Sequence, residues 1–230
     1  LEKAWLNHYR QVKTITVSDS TRRDLVNCGF VVVAIVPEGL SVPLAEKVPN
    51  KEATPSLLFV GRLKRVKKPD HAIRAFRMIR GKIPEAKLWV VGDGYLRERL
   101  ERAAGQGVEF TGRIEDSVKV DLMSRAHVLL FPAVREGWGL SITEANARGT
   151  PAVAYDVPGV RDAVIDRETG ILVRREDWQG MAQEAFALLK ERQLRESVAD
   201  RAREFAKGFT WDRTTSEFLE ILDVSHSTVA

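Results

Sequence analysis

The sequence predicts an α/β fold, a parallel sheet with helices on both faces, and two observations predict it. Between residues 57 and 173, short apolar or β-branched runs alternate strictly with amphipathic helical stretches, the pattern of strand–crossover–strand units. One of the runs, residues 128–131, is uninterruptedly apolar, as a strand covered on both faces is, and opens into a glycine-bearing loop.

Residues 1–9 read as the end of a helix. Residues 14–17 then form a short β-branched strand, Ser18 caps a helix over 21–28, and Gly29 closes it. A second strand over 31–36 leads into a Pro37-Glu38-Gly39 turn. Residues 40–55 turn to Pro, Lys, Glu, Asn and Ser without periodicity and read as a linker or domain boundary. Strands follow at 57–60, 87–91, 108–110, 128–131, 152–155 and 171–173. Between them lie helices at 70–80, 95–104, 117–125 and 142–148; the first has Ala72, Ile73, Phe76 and Ile79 on one face and Arg74, Arg77 and Arg80 turned away. Beyond residue 173 the pattern is helical, at 177–189, 192–206 and 211–224, with a tail over 225–230 expected to fray.

The chain has 230 residues, 44% of them hydrophobic, enough for a core, and carries a formal net charge of +4. The basic excess is mild and suits an anionic ligand or a membrane surface, whereas no nucleic-acid motif accompanies it. No apolar run is long enough to span a membrane and no signal peptide is visible. The single cysteine, Cys28, excludes an intramolecular disulfide framework and a cysteine metal cluster, and favours a cytoplasmic setting, with attachment at the cytoplasmic membrane surface as an option.

Chemistry concentrates in two stretches. In residues 132–149, Gly137 and Gly139 bare the backbone after a strand, and a helix predicted from about Ser141 adds the partial positive charge of its amino terminus. Glu136 in the loop and Glu144 in the helix can each accept hydrogen bonds from sugar hydroxyls. Ser141-Ile142-Thr143-Glu144 fits a capping box equally well, and Glu136 also reads as an ordinary solvated loop carboxylate. In residues 61–68, Arg62 can bridge two phosphate oxygens and Lys67 adds a compact charge, while Lys64 and Arg65 read as solvated cations. Gly92-Asp93-Gly94 suggests a dinucleotide fingerprint, but Arg97 stands where the third glycine belongs, which argues against a nicotinamide or flavin site.

Glu136, seven intervening residues and Glu144, set within Glu-Gly-Trp-Gly-Leu and Glu-Ala-Asn-Ala-Arg-Gly-Thr-Pro, resemble the Glu-x7-Glu signature of retaining GT-B glycosyltransferases of the family 4, or group 1, type. Gly-Arg, a short gap and Lys67 before a helix, in register with Asp70 and Phe76, resemble the same family's diphosphate segment. The resemblance implies the Rossmann-like carboxyl-terminal half of a GT-B fold. It divides the chain into a tail of the amino-terminal acceptor domain with a linker (1–50), a donor-binding domain (51–208) and a terminal helix that packs back toward the amino-terminal domain (209–230).

It further implies transfer of a hexose from a nucleoside diphosphate sugar, with UDP or GDP as the carrier, to an acceptor hydroxyl with retention. Arg62, Lys67 and Glu136 take the catalytic roles. The donor is held by Gly61, Gly92, Gly94, the backbone of Arg113 and Ile114, the Gly137–Leu140 segment with Trp138 and Gly139, and Glu144 at the ribose. No metal and no cofactor are expected. Expected partners are the sugar nucleotide, a glycan or lipid-linked acceptor, and an amino-terminal domain or partner chain without which the chain should bind donor but transfer little sugar. Two departures stand out: Pro158-Gly159 followed by Asp162 where relatives often have Gly-Gly-Glu, and Asn146 where many have Met. A GT-B epimerase, a phosphorylase, for which no pyridoxal phosphate lysine is identifiable, and a non-catalytic nucleotide-binding module are the alternatives.

Overall fold

Residues 7–226 are described by the computed structural model. Its strands are β1 (Thr14–Thr16), β2 (Val32–Ile35), β3 (Ser56–Val60), β4 (Lys87–Val91), β5 (Val108–Gly112), β6 (Val128–Phe131), β7 (Ala152–Tyr155) and β8 (Gly170–Val173). Its helices are α1 (Asp19–Asn27), α2 (Pro69–Arg80), α3 (Arg97–Ala104), α4 (Asp116–Arg125), α5 (Leu140–Ala147), α6 (Val160–Ala163), α7 (Trp178–Lys190), α8 (Arg192–Ala206) and α9 (Trp211–His226).

The chain divides into two units, Ser41–Gly208 and Leu1–Leu40 with Phe209–Ala230. In the larger one, β3 to β8 form a parallel sheet in the order β5-β4-β3-β6-β7-β8. Every residue of β3, β6 and β7 is buried, which is why these runs, apart from Ser56 at the start of β3, are apolar instead of alternating. Helix α2 packs against α3 and α7, and α5 packs against α4 and α8, so each face of the sheet has its own layer. The core includes Phe59, Phe76, Leu58, Leu129 and Tyr155, each at most 2% exposed.

In the smaller unit, β1 and β2 pair in parallel around α1. Ser18 caps α1 by accepting from the Thr21 amide at 3.1 Å. The start of α9 is tied to the same unit, because Leu40 N–H donates to the Phe209 carbonyl and the Thr214 hydroxyl to the Pro37 carbonyl.

The predicted elements are present with shifted ends. Helix α5 begins at Leu140 because Gly139, at φ 124, occupies the cap position, so Ser141 lies inside the helix and the capping box does not form. The periodicity missed a one-turn 3-10 helix at Arg65–Lys67 and the four-residue α6, since a single turn shows no period. Residues 41–55 carry no helix and are held to the larger unit by bonds such as Ala45 N–H to the Ala147 carbonyl and Glu52 N–H to the Arg125 carbonyl. The helix expected at 1–9 falls mostly on residues outside the described ones, and residues 8–11 form a turn. Of the tail expected to fray, 225–226 end α9 and 227–230 lie outside the described residues.

At the carboxyl edge of the sheet the loops are stitched backbone to backbone. Gly61 N–H donates to the Val91 carbonyl, Leu63 N–H to Asp93, Leu96 N–H to Leu63 and Gly92 N–H to Gly112. Gly92, at φ 123, passes so close to the β3 loop that a Cβ there would stand 2.1 Å from the Gly61 carbonyl oxygen. The glycine is thus required by the neighbouring loop before any ligand is considered. Gly92→Ala should lower stability by about 2 kcal/mol or more; a thermal melt indistinguishable from the parent's would contradict this close approach.

The amino-terminal edge buries bases. His127 sits 8% exposed, and its Nδ1 accepts from the Ser56 amide at 3.1 Å. Lys51 Nζ donates to the Ser124 carbonyl at 3.0 Å and the Thr150 hydroxyl at 2.7 Å. Burial, assisted by Arg195 and Arg148, pulls Lys51 down to about 7. The unfolded lysine therefore holds its proton up to about 10.5 while the folded one releases it near 7, so stability rises with pH across that window. Between pH 7 and 9 this residue should contribute a gain on the order of 1 kcal/mol per pH unit. Denaturant titrations of Lys51→Met at the two pH values should show that part of the gain abolished.

Candidate functional site

The order β5-β4-β3-β6-β7-β8 reverses its direction of growth between β3 and β6. In open α/β sheets a crevice opens at that point, outside the carboxyl ends of the strands, and ligands bind there. The loop after β3 carries Gly61, Arg62 and Lys67, and the loop after β6 carries Glu136 to Gly139. Both predicted stretches thus flank the reversal.

A cavity of about 620 Å³ occupies the β3–β4–β5 side of this edge. It gathers Gly61, Arg62, Gly92, Gly94, Arg113 and Ile114, all of them predicted from the sequence, together with Lys64 and Lys119. The Arg62 and Arg113 side chains are exposed, and among the described residues neither has an ion-pair partner. Among the described residues, the cavity therefore sets four cations, Arg62, Lys64, Arg113 and Lys119, against one lining carboxylate, Asp93, and exposes glycine backbone at Gly61, Gly92 and Gly94.

Glu144 is 7% exposed and its Oε1 accepts from Lys119 Nζ at 3.2 Å. Burial raises its carboxyl above the ordinary value, and Lys119 only partly opposes this. A carboxyl raised on folding stabilises the fold when protonated, below its unfolded value, and that contribution is lost as pH rises through the folded one. Ionised Glu144 is consequently a cost to the fold at neutral pH. Lys119 is the site residue the sequence did not reveal, because it reaches Glu144 only through the packing of α4 on α5. It ties Glu144 to the cavity wall.

On the β6 side, Lys67 Nζ is ion-paired with Glu136 Oε1, the two side chains being 20% and 14% exposed. The Lys67 ammonium also lies 5.7 Å from the centre of the Phe131 ring. Two groups assigned separate ligand contacts from the sequence are thus partners of each other in this structure. Val134 N–H donates to the Val66 carbonyl at 3.0 Å, which joins the two loops directly.

The loop after β6 is shaped by Gly159. A Cβ there would lie 2.3 Å from the Glu136 carbonyl oxygen, and the Gly159 amide donates to Asp162 Oδ2 at 3.2 Å. Pro158-Gly159 and Asp162 thereby give the segment a defined geometry of its own. Trp138 is 8% exposed and Gly139 caps α5, whereas Leu140 is 38% exposed at its first position. The Asn146 side chain is fully buried and both its polar atoms lack a hydrogen-bond partner. Nothing in the structure explains an Asn at that position.

Lys68 adopts the left-handed conformation, φ 48, immediately before Pro69 opens α2. Its Nζ pairs at 3.0 Å with Glu176, itself at φ 65. At the first turn of α2, the buried His71 Nδ1 meets the Tyr155 hydroxyl at 2.7 Å and anchors the helix start to the end of β7. Burial pushes the phenol up, so it stays protonated. Among the described residues, no group of three or more His, Cys, Asp or Glu is placed to hold a metal ion, and no helix is long and apolar enough to cross a membrane.

Comparison with known proteins assigns the fold. The chain is 33% identical over 182 residues to a D-inositol 3-phosphate glycosyltransferase of Jonesia denitrificans, an alignment covering 73% of the chain and 42% of that protein. It is 28% identical over 227 residues to the phosphatidyl-myo-inositol mannosyltransferase of Mycolicibacterium smegmatis, covering 94% of the chain and 58% of that protein. The chain thus spans about half the length of these relatives. Among solved structures, sucrose-phosphate synthase from Thermosynechococcus elongatus superposes with a TM-score of 0.83 at 25% identity, covering 99% of the chain and 61% of that chain. A point mutant of S. aureus TarM, solved in complex with Fondaparinux, alpha-GlcNAc-glycerol and UDP, superposes with a TM-score of 0.79 at 20% identity, over 90% of the chain and 43% of its own. The sheet is that of the Rossmann-like carboxyl-terminal domain of GT-B glycosyltransferases. The model of the glycosyl transferases group 1 family matches residues 43–205, and the chain belongs to that family.

Proposed function

We propose that the larger unit binds a nucleoside diphosphate sugar and serves as the donor half of a retaining hexosyltransferase. The observation that carries this reading is the convergence of Arg62, Arg113 and Lys119 on one cavity at the carboxyl edge of the sheet, with the buried Glu144 bonded to Lys119. The nucleotide lies along the glycine backbone of Gly61, Gly92 and Gly94, the base meets the backbone of Arg113 and Ile114, and the ribose hydroxyls donate to Glu144.

The leaving diphosphate gathers negative charge as the glycosidic bond breaks, and preorganised positive charge at that place lowers the barrier. Arg62, Lys67 and the amino end of α5 at Gly137–Leu140 supply it in this proposal, with no metal assigned a part. The Lys67–Glu136 pair is exchangeable in this proposal: an arriving diphosphate competes with Glu136 for the ammonium. Glu136 is then free to accept from the donor sugar's hydroxyls. Acceptor and closing residues belong to an amino-terminal half, so the chain alone binds donor with little turnover. The single cysteine supports a cytoplasmic setting for this chemistry.

Calorimetric titration with UDP, GDP and ADP, then with the matching sugar nucleotides, tests the reading. One diphosphate should be preferred. Arg62→Ala should weaken it about tenfold or more, the loss of a charge-assisted hydrogen bond. Glu144→Gln should weaken nucleosides with a ribose and leave inorganic pyrophosphate unaffected. Failure of all three nucleotides to bind would defeat the proposal.

A non-catalytic nucleotide-binding module is distinguished by supplying the amino-terminal half of a relative and an acceptor. Hexose transfer with the anomeric configuration kept supports the enzyme, and binding without transfer supports the module.

A further inference from the structure

A second cavity, of about 400 Å³, lies on the other side of the Arg65–Lys67 turn, between α2 and α3. Its apolar lining comes from Ile73 of α2, Leu96 and Leu100. Its polar lining is strongly basic: Arg65, Arg77 and Arg99 stand around it, and among the described residues none of the three has a carboxylate within ion-pair reach. Two further cations, Arg74 and Lys68, are already engaged, with Asp70 at 3.6 Å and Glu176 at 3.0 Å. Among the described residues, Asp70 is the only acid that lines the cavity.

These features have a specific chemical meaning. Three exposed guanidiniums without ion-pair partners among the described residues give the concavity a positive potential that favours an entering anion. Guanidiniums pair with phosphate oxygens through planar, bidentate donors, and three of them can share the oxygens of one phosphate. The apolar floor adds a demand that inorganic phosphate does not meet. The volume is in the range of about 300–1,000 Å³ that small-molecule sites occupy. The basic loop after β3 thus divides its charges, Arg62 and Lys64 toward the donor crevice and Arg65 and Lys68 toward this groove.

We propose that the α2–α3 groove is a second anion site, separate from the donor crevice, that takes a phosphate ester with an apolar body. The phosphate sits among Arg65, Arg77 and Arg99, and the apolar part covers Leu96 and Leu100. Phosphate esters of this kind occur as soluble metabolites and as lipid headgroups, and the assay separates the two.

The whole chain is titrated calorimetrically with short-chain phosphatidic acid below its micelle concentration and with inorganic phosphate. Pelleting with phosphatidylcholine vesicles doped with phosphatidic acid is measured beside it. The exposed pair Arg77→Ser with Arg99→Ser is compared with the crevice pair Arg62→Ala with Arg113→Ala, each checked by far-UV circular dichroism. The short-chain lipid should bind more tightly than inorganic phosphate. The groove pair should lose about tenfold or more in affinity, the removal of two charge-assisted contacts, and the crevice pair should keep it. Pelleting that depends on Arg77 and Arg99 assigns the phosphate to a membrane lipid, and binding without pelleting assigns it to a soluble ester. Absence of binding, or loss in the crevice pair with retention in the groove pair, overturns the groove, whatever the outcome for nucleotides.

Discussion

The structure depends on backbone meeting backbone at the carboxyl edge of β3 and β4. Where the Gly61 and Gly92 loops touch, there is no room for a side chain, and hydrogen bonds from Gly61, Leu63, Leu96 and Gly92 join three successive loops into one ledge. Such bonds satisfy backbone groups that would otherwise need water. They also remove the freedom that a phosphate-binding loop would lose on binding. The crevice wall is therefore set by the sheet and not by the ligand.

Charge is distributed across the sheet in two opposite ways. At the carboxyl edge cations stand exposed or paired with carboxylates, as Lys67 is with Glu136 and Lys119 with Glu144. At the amino-terminal edge His127 is buried and Lys51 half-buried, and desolvation drives both toward their neutral forms. The first arrangement leaves charge at the surface; the second keeps it out of the core. A raised Glu144 carboxyl at one edge and a lowered Lys51 amine at the other report the same physics, desolvation, in groups of opposite sign.

How far the site was legible differs residue by residue. Arg62, Gly92, Gly94, Arg113 and Ile114 could be gathered in advance because each follows a strand end, and in a parallel sheet all such ends share one edge. Lys119 could not, since it stands mid-helix among ordinary surface residues and acquires its role from Glu144, distant in sequence. The capping box at Ser141 was a local alternative that local reasoning could not decide. Gly139 decided it by taking the cap position, which follows from how the loop passes Ile142 and Ala163.

Alternation of apolar runs with amphipathic stretches determined the fold class, because the central strands β6 and β7 are buried along their whole length and need apolar side chains on both faces. The signature around Glu136 and Glu144 determined the family. Tertiary structure alone decided the pairings: Lys67 with Glu136, Lys119 with Glu144, and the basic loop shared between two cavities. Those depend on distances across elements far apart in the chain, and side-chain charge acts through space rather than along sequence.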